Sequence, residues 1–351
     1  MALVQPRQSE RARPAAYDLG PPAPWVVAIV ALLLPIVSNS FFLSEIFGQT
    51  LILGTIALSL MFLAGCGGMV SLMQLTVAGF AGYMYAIFGV TGTHNVSLGW
   101  PWWVATPLAL ILATLFGTIG GALAVRTEGI YTIMITLAIG AAFYYFTNQN
   151  YAIFNGHTGI NTISTPAFWG VDWRASLPFY YLTLVVAGLC YFWVNYLIRA
   201  PFGLALQGVR DNPRRMAALG FHVNAHRIAA YAFAALIAAL GGVLQVWNYK
   251  QISPGSVSVD SAINVLIIAF VGGVGRPIGP FIGAFIFVLL RTFALDFLRE
   301  IGLDGNRFRL LIGLGFLVIV FWSPDGVIGL WERWRRRGAP TSVRPAGGVH
   351  G

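Results

Sequence analysis

The sequence predicts an all-α polytopic membrane protein with about ten transmembrane helices. Of its 351 residues, 57% are hydrophobic and only 9% are charged, whereas an average soluble domain is about 25% charged. The mean hydropathy is +0.75. Apolar stretches recur along almost the whole chain at lengths near the ~20 residues that a membrane helix needs. A soluble protein with so few charges could not cover its surface, which argues against that class.

The candidate membrane segments are apolar runs separated by polar or basic turns. They cover roughly residues 24–44, 48–67, 69–89, 102–125, 129–148, 178–198, 228–248, 261–273, 278–298 and 308–328. Gln74 and Thr76 interrupt the third segment, and the eighth is short and runs into a glycine-rich stretch. Broken or short segments are expected where backbone lines a cavity inside the protein. We therefore predict two broken segments, the third and the eighth.

The basic residues indicate how the chain is oriented. The net charge is +9, and most of the 21 Lys and Arg residues fall in alternate loops and near the two ends. Because these residues are enriched on the cytoplasmic side, ten crossings with both termini in the cytoplasm fit best, and eight crossings are the main alternative. Residues 1–23 and 333–351 are then predicted to be cytoplasmic tails, residues 24–332 the membrane domain and residues 199–227 a long cytoplasmic loop. The same rule explains the net positive charge. Nucleic-acid binding, which needs a folded basic surface, is therefore not required to explain it.

The loop 199–227 has the pattern of two short helices with a turn between them. Asn212 is a predicted N-cap with Pro213 at the first helical position of the second helix. Leu219 belongs to the apolar face of that helix, and Gly220 ends it. A short amphipathic helix on the cytoplasmic face is suited to docking into a partner's groove. An arginine-rich loop that only fixes the topology is the alternative.

Two glycine-rich stretches, Gly65 to Gly82 and Gly272 to Gly283, occupy corresponding places in the two halves of the chain. Such a pair suggests an inverted repeat with a site between its halves. For the second stretch, close packing of helices on small residues is the main interpretation, and a pore-lining backbone is the alternative. A nucleotide-binding loop is not supported, because no soluble βαβ unit surrounds it. The predicted packing residues are Gly272, Gly273, Gly275, Gly279, Pro280 and Gly283.

Uncharged polar side chains at membrane depth are candidates for lining a path through the protein. Such groups suit the passage of a zwitterion, since passage requires weak, distributed binding. Hydrogen bonding between helices is the alternative. One set lies in the third segment and the other at and beyond the outer end of the fifth. The candidates are Ser71, Gln74, Thr76, Asn148, Asn150, Asn155, Thr158 and Asn161.

The chain offers little for catalysis. His222 and His226 are four residues apart, but no Glu stands between them at the catalytic position and no third ligand is evident. Cys66 and Cys190 lie in apolar segments, which indicates buried side chains. A G-x-x-x-x-G-K-[ST] motif is absent, and the only lysine is Lys250. We therefore predict no enzymatic activity, no metal site and no cofactor bound by this chain.

Few ionisable residues lie at predicted membrane depth. Arg291 is in the ninth segment and Glu45 is at a segment edge. A secondary carrier normally places ionisable residues in the membrane, so their scarcity disfavours that class, although a carrier or channel for a small solute stays the alternative. Arg291, Asp296, Arg299 and Glu300 can pair along one helix face. They are either a docking site for a binding protein or a solvated helix end.

Four ordered stretches and the end of the membrane domain carry a family pattern. They are Gly68 to Leu72 with Gly79, Gly82 and Tyr83; Val125 to Tyr131 with Thr136 to Ala138; Pro201 to Asp211 with Ala218 to Gly220; Val271 to Pro280 with Gly283 and Ala284; and Pro324 to Leu330. In this order they cover about residues 45–332. The sequence resembles the branched-chain amino-acid ABC importer permeases of the LivM type.

The resemblance implies a function that composition does not show. In that family a second, related permease subunit pairs with this one, and two ABC ATPase subunits that bind ATP and Mg dock on the cytoplasmic loops. A periplasmic binding protein delivers the substrate. The chain would then be a multi-pass permease of a bacterial inner membrane, surrounded by lipid. The implied ATPase-coupling residues are Arg210, Asn212, Pro213, Arg214, Ala217, Ala218, Leu219 and Gly220.

The chain departs from the family in the third segment. Members usually carry glutamine at Met69, glycine at Met73, histidine at Gln74, phenylalanine at Val77 and glycine at Ala81. These changes fall where a substrate would pass. Branched-chain or other apolar amino acids, aromatic acids, and urea or short amides therefore all stay open as substrates.

Overall fold

The described part of the chain is almost entirely helical, as predicted. The computed structural model describes residues 32–35, 39–92, 97–127, 129–166, 173, 175–300 and 326–327, with the backbone alone for 294–300. In chain order its helices are α1 (Phe42–Cys66), α2 (Gln74–Phe88), α3 (Trp102–Ala124), α4 (Ile130–Gln149), α5 (Tyr151–Phe154), α6 (Ser176–Arg199), α7 (Pro201–Asp211), α8 (Pro213–Ala218), α9 (Val223–Tyr249), α10 (Val259–Gly272) and α11 (Gly279–Glu300). The described part also contains two short strands, β1 (Ile160–Asn161) and β2 (Gln251–Ile252).

The second to ninth predicted segments correspond to α1, α2, α3, α4, α6, α9, α10 and α11. Most of the first predicted segment, nearly all of the tenth, and both predicted tails lie outside the described residues. Within the described part, α1, α3, α4, α6 and α9 are long and apolar enough to cross a membrane, and α10 and most of α11 are shorter apolar helices. The protein is an all-α polytopic membrane protein.

Helices α1 and α9 form the centre of the bundle. In the most apolar window of α1, 83% of the residues are buried, and the value for α9 is 61%. A helix that is apolar on all sides belongs in the interior. The two central helices approach their neighbours closely through small residues. A side chain on Gly242 would come within 3.0 Å of the backbone of Ala78 in α2, and one on Gly241 would meet Ile56 in α1.

Helices α3, α4 and α6 lie at the periphery of the described bundle. In their most apolar windows only 33%, 28% and 33% of the residues are buried. The outer face of α3 carries a stripe at fourfold spacing, from Ile111 through Leu115 to Ile119, in which each residue is more than half exposed. Its inner face carries Ala109 and Ala113, which are fully buried. Such a face requires lipid or an apolar partner outside the described residues.

The third predicted segment is broken, but at a different place from the one predicted. Gln74 and Thr76 lie inside α2 and do not interrupt it. The break is the turn 67–73 between α1 and α2, where Gly68 has a φ of 65°, a conformation that favours glycine. The 15 residues of α2 span about 22 Å, less than the ~30 Å of a hydrocarbon core. The eighth segment is short, as predicted, because α10 has 14 residues.

The loops 149–177 and 249–260, which follow α4 and α9, contact each other at one end of the bundle. Ile160 of β1 stands opposite Ile252 of β2 in an antiparallel pair, and an isolated bridge joins Thr91 to Ile163. The strands were not predicted, because two residues are too few to show an alternating pattern. We call this end of the bundle the outer end, and the opposite end, which carries α7 and α8, the inner end.

Candidate functional site

The loop 199–227 folds into the two predicted short helices, α7 and α8. Helix α7 is amphipathic and buries Leu206 and Val209 against the bundle. Asn212 then caps α8, because its side-chain oxygen accepts a hydrogen bond from the backbone N–H of Arg215 at 3.0 Å. Pro213 occupies the first helical position. Gly220 follows with a φ of 88°, which ends the unit as predicted.

Helix α8 presents an exposed apolar surface at the inner end. None of its residues is buried, and Leu219, immediately after it, is 67% exposed. Its contact with α7 is made by Met216, whose sulfur lies against Gly208. Of the predicted coupling residues, all except Arg210 and the half-buried Pro213 lie on this exposed surface. They are Asn212, Arg214, Ala217, Ala218, Leu219 and Gly220.

Arg210 differs from the other predicted coupling residues because it points back into the bundle. Its guanidinium donates a hydrogen bond to the backbone carbonyl oxygen of Gly65 and, through Nε, to Asp211 at 3.0 Å. Its aliphatic carbons lie where a side chain on Gly68 would stand. A cation at the C-terminal end of a helix such as α1 is favourable, because it satisfies a free carbonyl and opposes the helix dipole.

The two broken segments meet at Gly65, whose carbonyl oxygen accepts the hydrogen bond from Arg210. The last turns of α1, Phe62–Cys66, are π-helical, a conformation that is frequent at functional sites. A side chain on Gly65 would come within 3.0 Å of the carbonyl oxygen of Val274, in the turn between α10 and α11. We call the cluster of Gly65, Gly68, Arg210 and Val274 the junction. It joins the inner loop to both halves of the chain.

Most glycines of the glycine-rich stretch lie in close contact with neighbouring backbone. A side chain on Gly272 or on Gly283 would come closer than 3.0 Å to backbone atoms of the facing helix, and Gly279 is enclosed in the same way. Gly273 has a φ of 109° at the end of α10, and Pro280 is buried at the start of α11. Gly275 is the exception, because it is exposed and has open space around its missing side chain. A packing role for Gly275 stays a prediction.

The predicted path residues of the third segment are enclosed in packing between helices. Ser71, Gln74 and Thr76 are at most 1% exposed, and none of them lines the outer cavity beneath loop 249–260 or the inner cavity beside the break between α1 and α2. Ser59 lies 3.3 Å from the oxygen of the Gln74 amide but donates its one proton to the Ile56 carbonyl at 2.6 Å. The Gln74 nitrogen has no hydrogen-bond partner among the residues that the structure describes. Their role in a path stays a prediction.

We expect Gln74→Leu to stabilise the fold by about 1 kcal/mol, because it removes a buried amide whose desolvation is poorly compensated. The midpoint of thermal unfolding in detergent should rise. Gln207→Leu is the matched control, since the Gln207 nitrogen donates to the Ile198 carbonyl at 3.2 Å and its loss should lower the midpoint. A fall in stability for Gln74→Leu would show that a partner satisfies its amide in the assembled protein.

The predicted path residues near the outer end hold the outer loop in shape. Asn150 accepts a hydrogen bond from the backbone N–H of Ile153 at 3.1 Å, and Asn155 donates to the Gly159 carbonyl at 2.8 Å. Thr158 donates to the Asn155 carbonyl at 2.7 Å. Asn161 lies in β1 and is exposed, and Asn148 is half-buried at the end of α4. Local backbone hydrogen bonds thus use most of these side chains.

A polar cavity that the sequence did not predict lies beneath the outer loop 249–260. It has a volume of about 320 Å³ and is enclosed by α1, α2, α9, α10 and α11. Its polar lining includes Gln245, Tyr249, Ser261, Asn264 and Arg291. Sequence reasoning noted only Arg291, through its charge in an apolar segment. The uncharged members form two pairs, Gln245 with Tyr249 on α9 and Ser261 with Asn264 on α10, and spacing along the chain does not show that these two helix faces meet.

A second cavity of about 340 Å³ lies at the inner end, beside the break between α1 and α2. Gly68, Thr132, Pro213 and Arg227 are among its lining residues. His226 packs nearby, with its ring stacked on Phe202 at 5.7 Å between centroids. The described residues contain no group of three or more His, Cys, Asp or Glu that could hold a metal ion.

A bundle with two broken segments, a polar cavity at one end and an exposed short helix at the other is the architecture of a transport permease. The comparison with known families agrees. The chain belongs to the family described as branched-chain amino acid transport system / permease component, whose model matches residues 42–320. It is a permease subunit and not an enzyme, and permease chains of this family bind no cofactor themselves.

Curated relatives include permeases with different named substrates. The high-affinity branched-chain amino acid transport system permease protein LivM of Escherichia coli (strain K12) is 26% identical over 328 residues, which is 86% of this chain and 74% of that protein. The probable LivM of Methanocaldococcus jannaschii is 27% identical over 63% of this chain and 67% of that protein. The ribose import permease protein RbsC of Haemophilus influenzae is 22% identical over 87% of this chain and 91% of that protein. No solved structure matches the chain significantly.

Proposed function

We propose that this chain is the permease subunit of an ABC importer that moves a branched-chain or related amino acid across a bacterial inner membrane. The observation that carries the proposal is the exposed surface of α8 and Leu219, anchored to the bundle through α7. A leucine that is 67% exposed at the tip of a loop is suited to burial in a partner. Family membership supports ATPases as that partner.

The rest of the assembly follows from the same proposal. Two ATPase subunits bind ATP and Mg and dock on the loop 199–227, a second related permease completes the pore, and a periplasmic protein delivers the substrate. Residues 1–23 and 333–351 are cytoplasmic tails in this arrangement, on the side of α8. The exposed apolar stripe of α3 faces lipid.

In the proposed import cycle, the junction transmits movement of α8 to the two broken segments. A push on α8 reaches α7 through the contact of Met216 with Gly208. Helix α7 is fixed to the end of α1 by the hydrogen bond from Arg210 to Gly65. Since Gly65 lies against the turn between α10 and α11, the push is shared by both broken segments. Coupling of this kind requires a rigid element with two positions.

The choice of substrate is supported by the relatives and limited by them. Three of the matched relatives are named as branched-chain amino acid permeases, while more distant ones are named for ribose and fructose. Transport without ATPases, as a carrier or channel, is the alternative function. The scarcity of ionisable groups in the apolar segments disfavours a carrier.

The test is to purify the tagged complex in mild detergent and to measure which subunits accompany the chain. We expect Leu219→Asp to reduce recovery of the ATPase subunits by at least about tenfold, because it places a charge in an apolar contact. Leu98→Asp is the matched control, since Leu98 is 47% exposed but lies at the outer end. It should leave ATPase recovery unchanged.

Two results would contradict the proposal. One is recovery of the unsubstituted chain without ATPases across several detergents. The other is a Leu219→Asp variant that keeps both its ATPases and ATP-dependent uptake of L-leucine. Uptake driven by a proton or sodium gradient alone would favour the carrier.

A further inference from the structure

The outer cavity combines a polar rim with an apolar floor. Its volume of about 320 Å³ is near the lower end of the ~300–1,000 Å³ usual for small-molecule sites. Gln245, Asn264 and Arg291 contribute polar groups from α9, α10 and α11. The floor includes Leu75, Val265, Ile268 and Phe287, which are at most 9% exposed. A cavity of this size with two chemically different sides suits a small amphipathic molecule.

Arg291 places a positive charge at membrane depth. It lies about 18 Å along α11 from Gly279, at 1.5 Å per residue, and Gly279 marks the inner end of that helix. A charge at such a depth is costly unless it faces a partner, a cavity or water, and it therefore indicates a functional site. Arg291 faces the outer cavity.

Glu45 stands at the same level on the neighbouring helix. Gly54 of α1 meets Phe281 of α11, and Phe47 stacks on Phe285 at 6.1 Å between centroids. Because the two helices run in opposite directions, moving about 14 Å outward from the first contact reaches Glu45 on one helix and Arg291 on the other. Arg291 and Tyr249 line the cavity, and Glu45 is exposed at the same level.

These opposite charges do not pair with each other. No salt bridge is found between Glu45 and Arg291, both of which are among the described residues, so their charged atoms are more than 4.0 Å apart. The side chain of Gln49 lies beside Tyr249 and is only 5% exposed. Separated opposite charges at an apolar depth are a good receptor for a molecule that carries both charges.

We propose that the outer cavity is a binding site for a zwitterionic amino acid with an apolar side chain, whose carboxylate is held by Arg291 and whose ammonium group faces Glu45 and Tyr249. The side chain of the ligand then lies on the floor of Leu75, Val265 and Phe287. The inference rests on the proposed function, because it assigns that permease a substrate subsite. A sugar fits less well, since the floor offers no partner for its hydroxyl groups.

The assembled complex in nanodiscs tests this site by equilibrium binding of radiolabelled L-leucine and L-phenylalanine. We expect Arg291→Gln and Glu45→Gln each to raise Kd by about 10- to 100-fold, the range for a hydrogen bond to a charged group. Arg291→Lys should give an intermediate Kd, which separates loss of charge from misfolding. Arg199→Gln, at the inner end of α6, is the matched control and should bind like the unsubstituted protein.

Competition by ligands that lack one charge gives a second readout without any substitution. Isovalerate lacks the ammonium group and isopentylamine lacks the carboxylate, so each should compete at least about tenfold more weakly than leucine. Equal competition by either compound would overturn the proposal. So would unchanged Kd values in Arg291→Gln and Glu45→Gln.

The outcomes distinguish this site from the function on which it rests. Loss of ATP-dependent uptake together with absence of ATPases contradicts the proposed function. ATP-dependent uptake of leucine that survives both charge substitutions contradicts only the cavity site. Binding of neither amino acid to the unsubstituted complex, or stoichiometric phosphatidylethanolamine that is lost in Arg291→Gln, would also overturn the site, the latter in favour of a lipid.

Discussion

Replacing Gly272 with alanine is expected to lower the thermal unfolding midpoint by roughly 5 °C or more and to reduce the yield of folded protein. The new methyl group would stand within 3.0 Å of the Gly279 carbonyl group and close to the backbone nitrogen of Gly283. These are backbone atoms, so α10 and α11 would have to separate. Overpacking of this kind costs about 1–3 kcal/mol or more, a large share of the ~5–15 kcal/mol that holds a folded protein together.

Gly275→Ala is the matched control for this experiment. It is the same substitution three residues along the chain, but no atom lies within 4 Å of the added carbon and the position is exposed. Its unfolding midpoint and yield should equal those of the unsubstituted protein. Equal midpoints for Gly272→Ala and Gly275→Ala would contradict the close approach of α10 and α11.

Replacing Arg210 with alanine is expected to abolish most ATP-dependent uptake while the ATPase subunits still accompany the chain. The substitution removes a charge-assisted hydrogen bond to the Gly65 carbonyl, worth about 1.5–3 kcal/mol, and leaves the exposed surface of α8 intact. Movement of the loop would then no longer reach α1. ATP hydrolysis without uptake, measured on the same preparation, is the expected signature.

Two further variants, Arg210→Lys and Arg199→Ala, serve as controls for this result. Lysine keeps the charge but lacks the fork of donors that can reach Gly65 and Asp211 together, so we expect partial uptake. Arg199 is a basic residue in the last turn of α6, outside the junction, and its loss should leave the ratio of uptake to ATP hydrolysis unchanged. Loss of the ATPase subunits in Arg210→Ala would instead make Arg210 part of the docking surface.

The helices themselves could be predicted because hydropathy is a local signal. Ten apolar segments follow from the composition, and those that fall on described residues are found as helices. The pair α7 and α8 was also predicted correctly, since the cap at Asn212, the proline at 213 and the glycine at 220 act on their own neighbours along the chain. Such signals need no knowledge of the fold.

The break in the third segment shows where local reasoning failed. Gln74 and Thr76 are polar and were taken as the interruption, yet their hydrogen-bonding groups are enclosed by α1 and α4, and the helix continues through them. The chain breaks earlier, where Gly68 makes room for Arg210. The residue that explains the break is more than a hundred positions away, so the sequence around Gly68 could not reveal it.

The sequence by itself determined the class of this protein, its helices, the pair of short helices α7 and α8 and the absence of catalytic motifs, because each depends on the composition or spacing of neighbouring residues. Only the tertiary structure decided which polar residues meet. In the structure Arg210 points inward and donates a hydrogen bond to Gly65, and Gly275 is exposed with no atom close to its missing side chain. Glu45 lies at the level of Arg291, which lines the outer cavity. In a membrane nearly every helix is apolar, so hydrophobicity does not determine which helices pack together. Close packing of small residues and polar contacts between distant residues do so. Neither produces a periodic pattern in the sequence.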